Sequence, residues 1–339
     1  MKGSNVFIRA IVAVLFLTLP ALAREAETAD GVRGGQSLAK AALAMGPVEA
    51  GITINNYLIF IDRDAESPLI SSSGVGADYP KGTAGMIFQE GLVWGARVRD
   101  GETPVIRVNG STYETGVKAG RVLYDDDGNV IGSEDRTERH IWRVRKDYLT
   151  ADLKSDFAYS ENVDLGAVTS ADEAELRAQY AYDWANWPAV EGAPYKDVDG
   201  DGAYDPTEDQ PGWPGADQTI WLVANDLPYV DPETGETVEV SLLSYGSPAI
   251  GMEIQITMWG YAFAAEHPLG NAVFRRVRMI YTGLPTTPDT AWLDSLYFSQ
   301  WSDPDLGEAG DDYMGCDIDL SLGYVYNGSA DDADFLGGF

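Results

Sequence analysis

In the run NAVFRRVRMIYTG, residues 271–283, the portion VFRRVRMIY sets basic residues against apolar ones in partial alternation. Successive side chains of a strand point to opposite faces, so this pattern reads as a strand with one dry face and one wet face. Runs of the same kind, rich in β-branched and aromatic residues and separated by Gly, Pro, Asp and Ser, extend in both directions. Upstream stand ITINNYLIFID (52–62), GMIFQEGLVWGARV (85–98), PVIRVNG (104–110), RHIWRVRKDY (139–148), QTIWLVAND (218–226) and GMEIQITMWGYAF (251–263). Downstream stand AWLDSLYFSQWS (291–302) and DIDLSLGYVYNG (317–328). YDDDGNVIG (124–132) contains Asp127-Gly128, a hairpin-turn signal.

One helix interrupts the series, SADEAELRAQYAYDWANWP at 170–188. Ser170 with Glu173 three residues on makes a capping box, and Pro188 ends the helix. Many strands with one helix predict a mainly β chain. The expected arrangement is a β-sandwich-like domain over residues 51–339, with a helical and loop insertion at about residues 151–217.

Inside that insertion lies DVDGDGAYDPTEDQP, residues 197–211. Asp197, Asp199, Asp201, Asp205 and Glu208 occupy positions 1, 3, 5, 9 and 12 of a calcium loop, with Gly202 at the turn position and the Ala203 carbonyl at position 7. The flanks are not those of an EF-hand. Pro206, Pro211, Gly212, Pro214 and Gly215 prevent an exiting helix, and Pro188, Gly192 and Pro194 break the incoming side. A loop of this kind fixes a long connection rather than opening a groove. Crowded carboxylates repel one another unless a hard divalent cation sits among them. The bland alternative is a solvated acidic turn, but the spacing is complete, and calcium is the expected cofactor.

A second acidic cluster occupies SDPDLGEAGDDYMGCDID, residues 302–319. Asp303, Asp305, Asp311, Asp312, Asp317 and Asp319 stand there with Gly307, Gly310 and Gly315, which would let carbonyls turn inward as further oxygen ligands. Their spacing fits no named loop, and a metal site and a solvated loop stand level. Cys316 lies within the cluster, where neighbouring carboxylates disfavour a thiolate, so it reads as a small packed residue.

The N-terminus, MKGSNVFIRAIVAVLFLTLPALA (1–23), has Lys2 and Arg9, an apolar core from Ala10 to Leu19 and an A-x-A end. This is the pattern of a secretory signal peptide, too short for a comfortable membrane span. Residues 24–50 read as a poorly ordered lead-in, with a helical turn or two around Leu38–Met45. No later apolar run approaches membrane length, so no spanning segment is expected after cleavage. The expected location is extracellular or the outer cell surface.

With 54 acidic and 23 basic residues the chain carries a net charge of −31, which opposes nucleic acid and anionic membranes as partners and favours divalent cations. A single cysteine excludes an intramolecular disulfide. The two histidines, His140 and His267, belong to no HExxH, and G-x-S-x-G and phosphate-cradling glycine motifs do not occur. No catalytic residue is assigned. Among so many carboxylates a glycosidase pair could always be drawn and would carry no weight. Of the nine tryptophans, Trp184 and Trp187 share a helix face by spacing and Trp213 follows the acidic loop. They could stack on sugars or dock the helix on a sheet.

The blocks GLVWGARV, IRVNGSTYETGVKAGRVL, RHIWRVRKDYLTADL, AQYAYDWANWPAVEGAPYKDVDGDGAYDPTEDQPGWPGADQTIWLVAND, YGSPAIGMEIQITMWGYAF and SQWSDPDLGEAGDDYMGCDIDLSLGYVYNG, spanning roughly residues 51–328, resemble an uncharacterised family. Its members are large secreted proteins of Bacteroidetes, Ignavibacteria and related bacteria, often ending in a type IX secretion sorting domain. The resemblance implies an exported or surface protein and no particular activity. This chain departs from the pattern by stopping at DADFLGGF without a sorting domain, as a fragment of a longer protein would. Two readings follow. One is a structural or adhesive extracellular protein, stabilised by calcium and without evident catalytic machinery. The other is a carbohydrate-active protein, a glycan-binding module or a glycosidase. An extracellular glycan or another surface protein is the partner class.

Overall fold

The computed structural model describes residues 47–71, 74–101, 103–130, 140–230, 237–238, 246–306 and 309–328. Residues 1–23, read as a signal peptide, and nearly all of the stretch read as a lead-in lie outside the described residues. In chain order come β1 (Glu49–Ile52), β2 (Leu58–Asp62), β3 (Ala77–Asp78), β4 (Gly85–Arg99), β5 (Val105–Gly110), β6 (Lys118–Ala119) and β7 (Trp142–Arg145). Helices α1 (Lys154–Ser160) and α2 (Ser170–Ala185) follow, then the short pair β8 (Tyr195–Lys196) and β9 (Gln210–Pro211). The remainder is β10 (Gln218–Asn225), β11 (Tyr229–Val230), β12 (Thr237–Val238), β13 (Met252–Gly260), β14 (Val273–Tyr281), β15 (Trp292–Pro304), β16 (Asp312–Asp317) and β17 (Leu322–Asn327).

The chain is mainly β, and its named strands pair antiparallel. Sheet one runs β1-β2-β3-β4-β15, with β5 also on β4. Sheet two runs β14-β13-β10, and β6 and β7 take successive lengths of the far side of β10. One apolar cluster draws on both sheets: Ile52, Ile61, Leu92, Trp94 and Val98 from sheet one, Ile220, Leu222, Ile254, Ile256 and Met258 from sheet two. Each such side chain contributes roughly 1.5–3 kcal/mol by leaving water.

β13 shows how its sequence builds this. Met252, Ile254, Ile256 and Met258 enter the shared core, while Glu253, Gln255, Thr257 and Trp259 alternate with them and are buried on the opposite face. β10 is buried at all eight positions. Ile220, Leu222 and Ala224 join the shared core. Trp221 and Val223 face the other way, into a second cluster with Trp142, Val144, Trp187 and Ala193. That explains a nearly continuous apolar run in place of an alternation.

The close strand crossings demand one glycine in particular. A Cβ on Gly91 would lie 2.0 Å from the Ser111 carbonyl oxygen, where the chain leaving β5 folds onto β4.

Several expectations need correction. The run 52–62 is not one strand but the hairpin β1–β2, broken at Asn55, whose side chain accepts the Tyr57 N–H at 2.9 Å and donates to the Ala272 carbonyl at 2.9 Å. Asparagine commonly bends a chain by bonding the backbone two residues on. β1 also begins at Glu49, inside the stretch read as lead-in. The run 317–328 is only half strand: Ile318–Ser321 turn, and β16 comes earlier, over residues that read as an acidic loop. The helix at 170 is capped by Thr169, not Ser170. The Thr169 hydroxyl accepts from Ala171 and Asp172, and the Asp172 carboxylate returns a bond to the Thr169 N–H. A second helix, α1, has only seven residues, too short for apolar periodicity to announce it. Asp127-Gly128 does form its turn, with a Tyr124–Val130 bridge and Asp125 accepting from Asp127 and Asn129.

Candidate metal centre

Strands β8 and β9 pair Tyr195 with Pro211 and Lys196 with Gln210, closing the acidic loop at its base. Within it Gly200 and Gly202 both sit at φ +81, a left-handed conformation that L side chains rarely adopt, and these two residues let the chain reverse twice. Helix α2 ends at Ala185, well before the loop, and no helix leaves it, in keeping with the prolines.

The loop is organised by carboxylates accepting its own amides. Asp197 takes the N–H of Gly200 at 2.6 Å and of Gly202 at 3.0 Å. Asp199 takes Asp201 at 3.2 Å, and Asp201 takes Ala203 at 2.8 Å. Asp205 accepts the hydroxyl and N–H of Thr207, bonds that hold its carboxyl below the usual carboxylate range. Asp209 takes Val198 at 2.8 Å through one oxygen and Asp205 at 2.9 Å through the other.

Asp197, Asp199 and Asp209 each offer a carboxylate oxygen, all within 4.8 Å of one another. Among the described residues this is the group of acidic side chains that could hold a metal ion. The donors are all oxygens, the chemistry of a hard cation. Asp209 is 3% exposed, Asp197 is half-buried and Asp199 exposed, so the group opens from a buried base to the surface. The Tyr195 hydroxyl is pushed up by desolvation and then by the carboxylates of Asp197, Asp209, Asp201 and Asp199, a direct sign of the negative field there.

Asp201, Asp205, Ala203 and Glu208 stand outside this converging trio, and Glu208 is exposed. Sequence reading missed Asp209. Its signal was the Glu208-Asp209 pair, where loop spacing selects the first residue and the burial of the second cannot be read from spacing.

The second acidic stretch divides between the end of β15, the turn after it and the two ends of β16. Asp303 in β15 accepts the Tyr113 hydroxyl at 2.5 Å, and that bond is the main reason the hydroxyl is pushed up to about 12. Asp305 is raised by burial and by Asp303 and Asp312. Asp312 accepts the Leu306 N–H at 2.9 Å where β16 begins, next to Asp311 in the preceding turn. Asp317, at the other end of β16 and about 17 Å away at strand rise, accepts Leu320 at 3.0 Å in the hairpin turn. Cys316 is exposed.

The tryptophans near the loop act in docking. Trp187 is 4% exposed and donates to the Pro194 carbonyl at 2.8 Å, while Trp184 donates to Pro206 at 3.1 Å. Trp213 stacks on Trp259 at 4.1 Å. His140 lies 2.7 Å from Asp183, both side chains wholly buried. No helix of the described residues is long and apolar enough to cross a membrane. Comparison with protein-family models, curated proteins and solved structures gives no match to this chain.

Proposed function

We propose that this chain is an exported, calcium-stabilised protein of the cell exterior, structural or adhesive in role, whose two sheets form a β-sandwich. The observation that carries the reading is the convergence of Asp197, Asp199 and Asp209 in a loop closed at its base by β8 and β9. Three anionic oxygens this close are stabilised by a divalent cation, and Asp201, Asp205 or the Ala203 carbonyl can supply further oxygens for the larger calcium shell. Magnesium prefers six short bonds and keeps its water, so a loop rich in carboxylate oxygens favours calcium. The signal-like N-terminus and the net charge of −31 support export and solubility.

The carbohydrate reading, a glycan-binding module or a glycosidase, rested on acidic residues together with exposed tryptophans. Trp184 and Trp187 are engaged in the seam between helix and sheet, which favours the structural reading. The test is thermal melting with calcium and with chelator, on wild type and on Asp199→Ala combined with Asp209→Asn. A calcium-dependent rise in the wild type that the double variant lacks supports the proposal. An unchanged wild-type melting temperature on chelation overturns it.

A further inference from the structure

At the base of the acidic loop a small recess opens where β7, β8 and β9 meet the turn 211–217 that leads into β10. Its volume is about 30 Å³. A water needs about 10–15 Å³ of such space, so the recess has room for one carboxylate group and not for a sugar ring. Its frame is bonded on every side. Gly212 donates to the Pro194 carbonyl at 2.9 Å, Trp213 to the Thr219 hydroxyl at 3.0 Å, and Lys146 to the Asp217 carbonyl at 2.9 Å, all through backbone N–H groups. A recess held in this way exists before a ligand arrives, and binding need not order it.

Three charged residues line it: Lys146, Lys196 and Asp217. Asp217 accepts the Ala262 N–H at 2.8 Å through one oxygen, and its other oxygen lies 4.0 Å from Lys146. Lys196 is exposed and enters no ion pair among the described residues. The acids next in sequence to the two lysines are engaged elsewhere. Asp147 is bonded to Arg145 at 2.6 Å, and Asp197 accepts Gly200 and Gly202 inside the loop. Arg276 of β14 lies over the Trp213 ring at 5.8 Å and adds a cation beside the recess. The lining therefore favours an anion. Two indoles complete it, Trp184 and Trp213, each half-buried and so partly open to solvent. Trp184 is held by its bond to the Pro206 carbonyl and Trp213 by its stack on Trp259.

We propose that this recess binds the carboxylate of an acidic sugar at the end of a glycan. The carboxylate enters and meets Lys146 and Lys196 in charge-assisted hydrogen bonds. The pyranose ring is too large to follow and sets an apolar C–H face against Trp184 or Trp213 at the mouth. The loop carried on β8 and β9 holds Asp197, Asp199, Asp201, Asp205 and Glu208, which repel a polymer acidic along its whole length. A single terminal acid is the form that fits. The inference rests on the adhesive reading and names its partner class, but it uses none of the carboxylates that would hold calcium. Its test is run in saturating calcium with the melting temperature read on the same sample, so a loop without calcium and a recess without sugar are told apart.

The probe is methyl β-glucuronide, with methyl β-glucoside as its neutral twin and acetate as the bare carboxylate. A proton–nitrogen NMR titration should show saturable shifts with the glucuronide at the indole N–H groups of Trp184 and Trp213 and at the amides of Lys146 and Lys196. The glucoside and acetate should each bind about tenfold more weakly, about 1.4 kcal/mol. Lys146→Gln combined with Lys196→Gln alters two exposed side chains, and the same spectrum confirms that the variant folds. In it the glucuronide should fall to the affinity of the glucoside. No saturable shift with the glucuronide, a glucoside or acetate that binds as tightly, or a folded lysine variant that keeps the preference would each overturn the proposal.

Discussion

The Tyr180 hydroxyl donates to Asp156 at 2.7 Å inside the protein, with Tyr180 fully buried and Asp156 4% exposed. The same carboxylate accepts the Thr53 hydroxyl at 2.5 Å and Arg145 at 3.2 Å, and Tyr180 in turn accepts from Gln218 at 3.1 Å. One carboxylate on α1 thus ties both helices to β7, β10 and the β1–β2 turn. Tyr180→Phe should cost about 1–2 kcal/mol, one buried bond on each side. Asp156→Ala removes the acceptor of the buried Tyr180 hydroxyl, the nearer acceptor of Thr53 and one of the two carboxylate partners of Arg145, whose other is Asp147, and should cost about 3–5 kcal/mol. Urea titration of both variants checks the order. Equal losses would mean that the carboxylate charge adds nothing.

At Gly91 the neighbour of an added Cβ is backbone, the Ser111 carbonyl, and cannot rotate away. Gly91→Ala should therefore lose about 1–3 kcal/mol or more as the strands are forced apart. Gly101→Ala, with nothing within 4 Å of the new carbon, serves as the neutral comparison. Melting temperatures of the two should separate clearly.

Burial pushes the Asp62 carboxyl up to about 7, reinforced by the charges of Asp64 and Glu66. The folded chain then keeps a proton that the unfolded chain releases near pH 4. The contribution is fully present below that value and is lost as pH rises through about 7. Asp62→Asn keeps an oxygen for the Glu66 N–H bonded at 2.8 Å but cannot titrate. Its denaturation midpoint should fall less between about pH 4 and 7 than the wild type's. Parallel curves would remove Asp62 as the source.

The position of Asp209 gives a sharper test of the acidic loop than chelation alone. Asp209→Asn keeps an acceptor for Val198 and removes one charge from the trio, whereas Glu208→Ala alters an exposed side chain. Calcium at a hundredfold excess over Kd stabilises a folded site by about 2.7 kcal/mol. Asp209→Asn should lose most of that gain and Glu208→Ala little of it, read as the calcium-induced change in melting temperature. The reverse ranking would return Glu208 to the ligand set.

Much of the fold was legible in the sequence, because strands with one buried face write their alternation into it. β4, β5, β10, β13, β14 and β15 lie within a few residues of their runs. What was not legible depends on partners remote in the chain. The break at Asn55 is fixed by Ala272, and the burial of Asp209 by a fold-back onto Val198. Spacing alone chose Glu208, since it counts residues and knows nothing of which side chain turns inward. Trp187 shows the same limit, for the helix stops at Ala185 and the tryptophan packs from the segment beyond it.

β10 belongs to two cores at once, Leu222 in one and Trp221 in the other. A wall common to two rooms cannot be removed from only one. Loss of the helical side would strip Trp221 and Val223 of their packing while the same backbone still held Ile220 and Leu222 against sheet one. The two clusters are therefore thermodynamically linked through a single backbone, and heat should dissolve them together in one cooperative transition rather than in succession.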